Sequence, residues 1–563
     1  MARRNDYDAI VVGSGITGGW AAKELTERGL RSLVLEAGGP VGPADYVMTT
    51  YPWMLEMRGR RDTERQSRER PIQSQCYACD AWSEKFFVRD DENPYTTTAG
   101  NPFSWIRARG VGGRSLLWAR QVYRWSDLDF EANMKDGHGV DWPIRYADIE
   151  PWYDHVERFI GVSGNPEGLA HLPDMQFLPG MPLNAAERHV RERLLEAYGG
   201  DRVLTIGRCA ILTRTHGSRA ACHYCGTCER GCNTHSYFSS QAATLPAALA
   251  TGRMTLRPWS VVHSVTYDAG SGRASGVRVV DGQTLEVTEY TGRVVLLCAS
   301  ALESTRILLN SRSDRWPDGL ANSSGQLGRN LMDHSMGGGA FAGIPGLDHL
   351  GIYGRRPNGI YLARFMNLTE RDQHPDFLRG YAYQGGGSRP GWRRGLPMDG
   401  FGAGFKHSLR SPGPWQMSLY GFGEMLPRES SSVSLDPDGV DKWGIPVLRI
   451  DCAWSDNERN MLRHMSVQAA EMLEAAGGRD VEPFVEDNPP GLGIHEMGTA
   501  RMGRDPRTSV LNGWNQSWDV ANLFVTDGAC MTSAANQNPS VTYMALTARA
   551  ANHAVDLIDR GEL

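Results

Sequence analysis

Ala9-Ile10-Val11-Val12 is a continuous apolar run, the pattern of a strand buried on both faces in a parallel sheet. It stops at Gly13-Ser14-Gly15-Ile16-Thr17-Gly18. The segment after it places Ile16, Ala21, Ala22 and Leu25 on one side of a helix, and Gly29 suits its C-terminal cap. Ser32 to Leu35 is a second apolar run, ending in Glu36. Residues 294–310 read as another buried strand followed by a helix. Trp415–Tyr420 and Val433–Leu435 alternate as strands do. The run Gly385-Gly386-Gly387-Ser388-Arg389-Pro390-Gly391 reads as a mobile loop and a candidate lid. Asn538-Pro539 opens a last helix, where proline suits the first helical position.

The first of these units has a mechanical reading. Gly13 permits a tight turn, Gly15 lets the backbone approach a pyrophosphate, and Gly18 lets helix and strand pack closely. The helix N-terminus offers free N–H groups to phosphates, and Glu36 can accept from ribose hydroxyls. The glycines alone are weak evidence. The full strand–glycines–helix–strand–acid unit points to a bound dinucleotide, without choosing among dinucleotides.

Composition narrows the class. The 563 residues are 40% hydrophobic and 22% charged, which fits a globular chain with a sizeable core. Net charge is −6 with no polybasic run, so neither nucleic acid nor an anionic membrane is an expected partner. No apolar stretch approaches the ~18 residues of a membrane-spanning helix. Arg3-Arg4 leads straight to the glycine turn rather than into a signal-peptide core, so no export signal is expected in the chain itself.

Ten cysteines do not make a secreted disulfide framework at this length, but four crowd together as Cys222, Cys225, Cys228 and Cys232. Their C-x₂-C-x₂-C-x₃-C spacing matches a ferredoxin run, with Asn233 in place of the usual proline. The expectation is an iron–sulfur cluster: three-iron on three thiolates, or four-iron with the fourth cysteine or a distant one such as Cys209. Zinc and thiols or disulfides without metal are the alternatives. Cys76 and Cys79, in a polar stretch over 58–80, read as loop thiols or a disulfide.

Further segments, in order along the chain, carry a resemblance. Residues 105–124 contain Gly110, Gly112, Gly113 and Ser115, a loop that could lie against a flat ligand, with Ser115 placed to bond a phosphate or a flavin edge. Residues 328–334 read GRNLMDH, 495–503 read HEMGTARMG, and 522–549 contain TDGACMTSAANQNPSVTYMAL. Together with the amino-terminal unit they resemble the glucose–methanol–choline (GMC) oxidoreductase family over nearly the whole chain.

The resemblance implies an α/β fold. A Rossmann-like FAD-binding domain would use 1–45, 95–125, 200–335 and 490–563. A discontinuous substrate domain on an antiparallel sheet would use 130–200 and 336–490. It implies FAD, bound noncovalently because Leu117 stands where some relatives carry a flavin-linked histidine. Val261 would meet the adenine, Asp527-Gly528 the pyrophosphate and ribityl chain, and the helix after Pro539 the flavin N1/O2 edge. His495 would be the base that takes the hydroxyl proton while a hydride passes to flavin N5, and Asn538 would hold the substrate oxygen. His334 reads as a polar residue near the cofactor rather than a catalytic group. The implied substrate is a pyranose sugar or glycoside, oxidised at a secondary ring hydroxyl with C3 favoured. An oxidase using O₂ and an electron-relay subunit are the rival readings. A small signal-bearing subunit, a cytochrome-type acceptor and a periplasmic location by co-export are expected from some relatives, with the cytoplasm as the alternative.

Overall fold

A computed structural model describes residues 3–46, 48, 50, 51, 54, 62–352, 354 and 356–563. Residues 58–61 of the polar stretch around Cys76 lie outside them.

Two large sheets organise the chain. The first runs, by neighbour, Met254–Arg257, Ser32–Leu35, Arg3–Val12, Val287–Leu297, Arg273–Asp281 and Ser260–Asp268, and Leu523–Val525 also pairs with Val287–Leu297. Its central pairings are parallel, with Val11 opposite Val34 on one side and Leu296 on the other. Ala9, Val11, Val34 and Leu296 pack against Ala21, Ala22 and Leu25 of the helix Ile16–Glu27 and Ala550, Ala551 and Ala554 of the helix Ser540–Asp559. Alanines on both helices let the backbones come close to the sheet. The continuous apolar runs are therefore strands covered on both faces.

The second sheet is antiparallel, in the order Arg479–Val485, His334–Gly343, Gln416–Glu424, Tyr381–Ser388, Ile360–Leu362 and Leu204–Ile206. Met461, Leu462, Met465 and Met472 of the helix Asp456–Ala475 cover it in one cluster with Tyr381, Tyr383, Met417 and Leu419. Leu204–Ile206, from a stretch expected in the nucleotide-binding part, pairs here with Ile360–Leu362. A smaller sheet joins Ser432–Val440, Pro446–Asp451 and Thr96–Thr97.

One expectation is corrected. Gly385 to Ser388 are not a loop but the end of the interior strand Tyr381–Ser388, paired with Gln416–Glu424 throughout. The glycines serve close strand approach: a Cβ on Gly385 would lie 2.0 Å from the Ser418 carbonyl oxygen, and one on Gly359 1.7 Å from that of Gly385. Only 389–391 of the supposed lid fall outside the strand.

Candidate active site

Where the sheets meet, two segments distant in sequence are stapled together. Met332 and Met497 exchange both backbone hydrogen bonds at 2.9 Å, and a side chain on Gly498 would strike the Asn330 carbonyl at 1.9 Å. Asp333 then accepts N–H bonds from Gly491, Gly493 and His495 at 2.8, 2.9 and 3.0 Å. Burial, with Glu496 nearby, raises its carboxyl to about 6. This clamp sets the turn that presents His495, and it puts His334 beside it.

The imidazoles of His334 and His495 meet Nδ1 to Nδ1 at 2.9 Å. His334 is fully buried, which pushes its pKa down to about 4 and keeps it neutral at ordinary pH. Its Nε2 faces the Ala534 carbonyl at 3.3 Å, an acceptor only, so Nε2 carries the proton and donates. The His334 Nδ1 is then an acceptor, and His495 must donate to it from Nδ1. The lone pair of His495 is thereby assigned to Nε2, the nitrogen a base needs. Burial first, then His334 and Arg114, hold the His495 pKa well below 6.5, so the ring is unprotonated. His334 thus does more than a polar residue near the cofactor. Its signal in the sequence, Asp-His beginning a strand, carries no tautomer information.

Asn538 lines the same cavity as His495. Its Oδ1 accepts from Gln384 Nε2 at 2.6 Å, which leaves the Asn538 N–H₂ to donate to a substrate oxygen. Gln384 comes from the interior strand once read as a lid. Met336 and Phe422 of the same sheet complete this wall.

The cavity, of about 340 Å³, continues from these residues to the glycine turn. Gly13 has φ +100 and a Cβ there would lie 2.4 Å from the Cys298 carbonyl. A Cβ on Gly18 would lie 2.0 Å from the Gly13 carbonyl, whereas one on Gly15 would meet nothing within 4 Å. Gly15 is thus the open position facing the cavity, at the uncapped N-terminus of Ile16–Glu27. Glu36 also lines the cavity, with Oε2 accepting from Ser14 and Oε1 from the Gly38 and Gly110 N–H groups.

Val261, Asp527 and Gly528 lie on the wall as well. Asp527 takes Ser304 Oγ at 2.5 Å and the Ala529 N–H at 3.0 Å, and burial raises it to about 6. Pro539 caps Ser540–Asp559 one position before its first residue, and Ser540 and Tyr543 line the cavity.

The loop 110–115 divides its tasks. Gly113 is on the cavity wall, and a Cβ there would lie 3.1 Å from the Gly15 Cα. Gly112, at φ +109, donates to Ser14 Oγ at 3.0 Å and holds the turn. Ser115 lines the cavity, yet its hydroxyl donates to the Gly112 carbonyl at 2.5 Å and accepts from the Ser240 N–H at 3.0 Å. Leu117 is on the wall too. An open glycine at a free helix N-terminus, with an acid one strand away and room toward a basic imidazole, fits FAD. Gly15, Glu36, Val261 and Asp527 would hold it.

The metal expectation is corrected. Among the described residues no three His, Cys, Asp or Glu side chains are arranged to hold a metal ion. The sulfurs of Cys222, Cys225 and Cys232 instead face local partners: the Tyr224 N–H at 3.4 Å, Thr227 Oγ1 at 3.3 Å and the Ser236 N–H at 3.2 Å. Burial raises the Cys228 thiol to about 12 and Cys209 to about 11. These cysteines do not fit an iron–sulfur cluster. Cys76 and Cys79 sit in an irregular turn, as expected, but buried in one cluster with Phe86 and Phe87, and Cys76 reaches the cavity wall.

A dinucleotide turn opening onto an unprotonated imidazole and a donor amide, roofed by an antiparallel sheet, defines a flavin-dependent alcohol oxidoreductase. The chain belongs to the GMC oxidoreductase family, whose models match residues 7–336 and 427–547. It is thus an FAD-dependent enzyme of that family. It is 28% identical to a 2-methyl-1,2-propanediol dehydrogenase of Mycolicibacterium austroafricanum, over 97% of this chain and 94% of the relative. It is 24% identical to the fructose dehydrogenase large subunit of Gluconobacter japonicus, over 98% of each. It is 26% identical to a paromamine 6'-oxidase of Streptomyces fradiae, over 98% and 92%. Among solved structures, pyridoxine 4-oxidase from Mesorbium loti superposes with a TM-score of 0.62 at 19% identity, over 97% of this chain and 99% of that one, and shares the fold.

Proposed function

We propose that this enzyme oxidises a secondary ring hydroxyl, C3 favoured, of a pyranose sugar or glycoside to the keto-sugar. The observation that carries the reading is the His334–His495 contact, which frees His495 Nε2 to take the hydroxyl proton. The Asn538 amide, held by Gln384, donates to the same substrate oxygen and steadies its developing negative charge. When bound, FAD supplies the hydride acceptor at the flavin N5. Leu117 on the wall supports noncovalent attachment. Relatives named for fructose and paromamine support a polyhydroxylated, sugar-like substrate. The large-subunit name of one supports a partner subunit for this chain as well, and we propose periplasmic co-export with such a partner.

His495→Ala tests the chemistry. The variant retains bound FAD, and anaerobic stopped-flow shows flavin reduction by sugar slowed by about 10²–10⁴-fold. A rate within about threefold of the unaltered enzyme removes His495 from this role. Screening methyl glucosides, glucose and gluconate against an artificial acceptor, with peroxide measured in parallel, ranks substrates and separates dehydrogenase from oxidase.

A further inference from the structure

Five arginines line the cavity: Arg107, Arg109, Arg114, Arg120 and Arg306. Four have protein partners. Arg109 pairs with Glu303 at 2.9 Å, Arg114 with Glu496 at 2.8 Å and Arg306 with Asp441 at 2.7 Å. Arg107 donates to the Asn93 carbonyl and lies over the Trp105 ring. Arg120 differs. It is 3% exposed, and its Nε and Nη1 are buried with no hydrogen-bond partner. Among the described residues no carboxylate pairs with it. Its one ring contact is Tyr237, 5.1 Å away, and Tyr77, Cys228 and Glu229 lie within electrostatic reach.

A guanidinium stays charged at any ordinary pH, and a buried charge without a counter-ion is strongly unfavourable. The backbone nonetheless holds Arg120 in place at φ +64, a conformation costly for a branched-chain or long residue. Its carbonyl accepts from the Ala210 N–H at 2.9 Å, and the next residue, Gln121, bridges to Cys209. The side chain therefore starts from a fixed point and faces the cavity with no hydrogen-bonded anion, Glu229 acting on it only at a distance.

We propose that Arg120 recognises a carboxylate on the substrate, so that the pyranose or glycoside taken here is an acidic one, a hexuronic acid or hexuronide. The assignment rests on the sugar-oxidation reading above and adds its substrate class. A carboxylate matches the planar fork of N–H donors and supplies one negative charge for one positive charge. A neutral hydroxyl would satisfy a donor and leave the charge uncompensated. A phosphate dianion would reverse the imbalance.

Methyl β-glucuronide and methyl β-glucoside differ only at C6 and make the test. Binding is read from flavin absorbance in oxidised His495→Ala holoenzyme, which does not require turnover. Flavin reduction by the same two compounds is read in the unaltered enzyme. The glucuronide binds more tightly than the glucoside by about ten- to hundredfold, and Arg120→Met abolishes that preference while Arg120→Lys keeps part of it. Equal binding of the two compounds with Arg120 present overturns the proposal, as does tighter binding of glucose 6-phosphate than of the glucuronide. An Arg120→Met variant that folds but has lost bound FAD assigns the guanidinium to the cofactor and also overturns it. Tight glucuronide binding with no reduction by any sugar sustains the carboxylate site and rejects the sugar-oxidation reading instead.

Discussion

A neutral imidazole can carry its proton on either nitrogen, and only one choice leaves His495 useful. The contact with His334 makes that choice, because His334 Nε2 is committed to the Ala534 carbonyl. His334→Phe removes the acceptor and frees His495 to exchange tautomers. Flavin reduction then slows by about five- to twelvefold, the worth of one hydrogen bond of ~1–1.5 kcal/mol, while FAD stays bound. His334→Asn, which returns an acceptor, recovers part of the rate. A purely structural role would not move the pH profile, but this one does. The His495 pKa is depressed below 6.5 by burial and then by His334, so the base form persists as pH falls through 6.5. The reduction rate should stay level there in the unaltered enzyme. Below about pH 4 His334 is itself charged and depresses His495 further, so in His334→Phe the acid limb should shift upward from there. A tenfold loss per pH unit beginning at 6.5 in the unaltered enzyme would contradict the assignment.

The glycine turn shows two glycines of one motif doing different work. Gly18 has no room for a side chain, since its Cβ would overlap the Gly13 carbonyl at 2.0 Å. Gly15 has room, and its φ of −67 suits any residue. Gly18→Ala therefore destabilises the protein by about 1–3 kcal/mol in denaturant titration, with or without FAD. Gly15→Ala leaves apoprotein stability within about 1 kcal/mol, since exposed helix-end changes are small, and weakens FAD binding. If Gly15→Ala bound FAD normally, the open space beside it would not be the pyrophosphate site. The other glycine run had a different purpose from the one its composition suggested. Gly385 to Gly387 allow strands to pack rather than a lid to move, and that distinction depends on the Ser418 carbonyl, which is remote in sequence.

The cavity wall gathers residues from both ends of the chain, among them Gly13 to Thr17, Glu36, Arg107, Gly113, Val261, Ala299, Gln384, His495, Asp527 and Asn538. A ligand that spans them ties the two large sheets together and binds only the folded form. At a free FAD concentration about 100 times its Kd, such linkage contributes ~2.7 kcal/mol. Stripping FAD should lower the melting temperature by about 2 °C, and adding it back should restore the value. Equal melting temperatures for apoprotein and holoenzyme would mean that the cavity is not where the nucleotide binds.

The dinucleotide unit was legible in the residues because it is local. Strand, turn, helix and acid lie within Ala9 to Glu36, and the periodicities of apolar residues there are those of the elements formed. That His495 and Asn538 lie on one cavity was expected from motifs that follow one another along the chain. The pairing of His334 with His495, the seat of Gln384 and the unpartnered guanidinium nitrogens of Arg120 were not. Each depends on backbone contacts between segments far apart in sequence, Met332 with Met497 and Arg120 with Ala210 among them, and hydrogen-bond direction has no trace in residue order. The cysteine run shows the converse: its spacing permits a cluster, but sulfurs hold a metal only where the folded backbone makes them converge, and among the described residues no three metal-binding side chains do so.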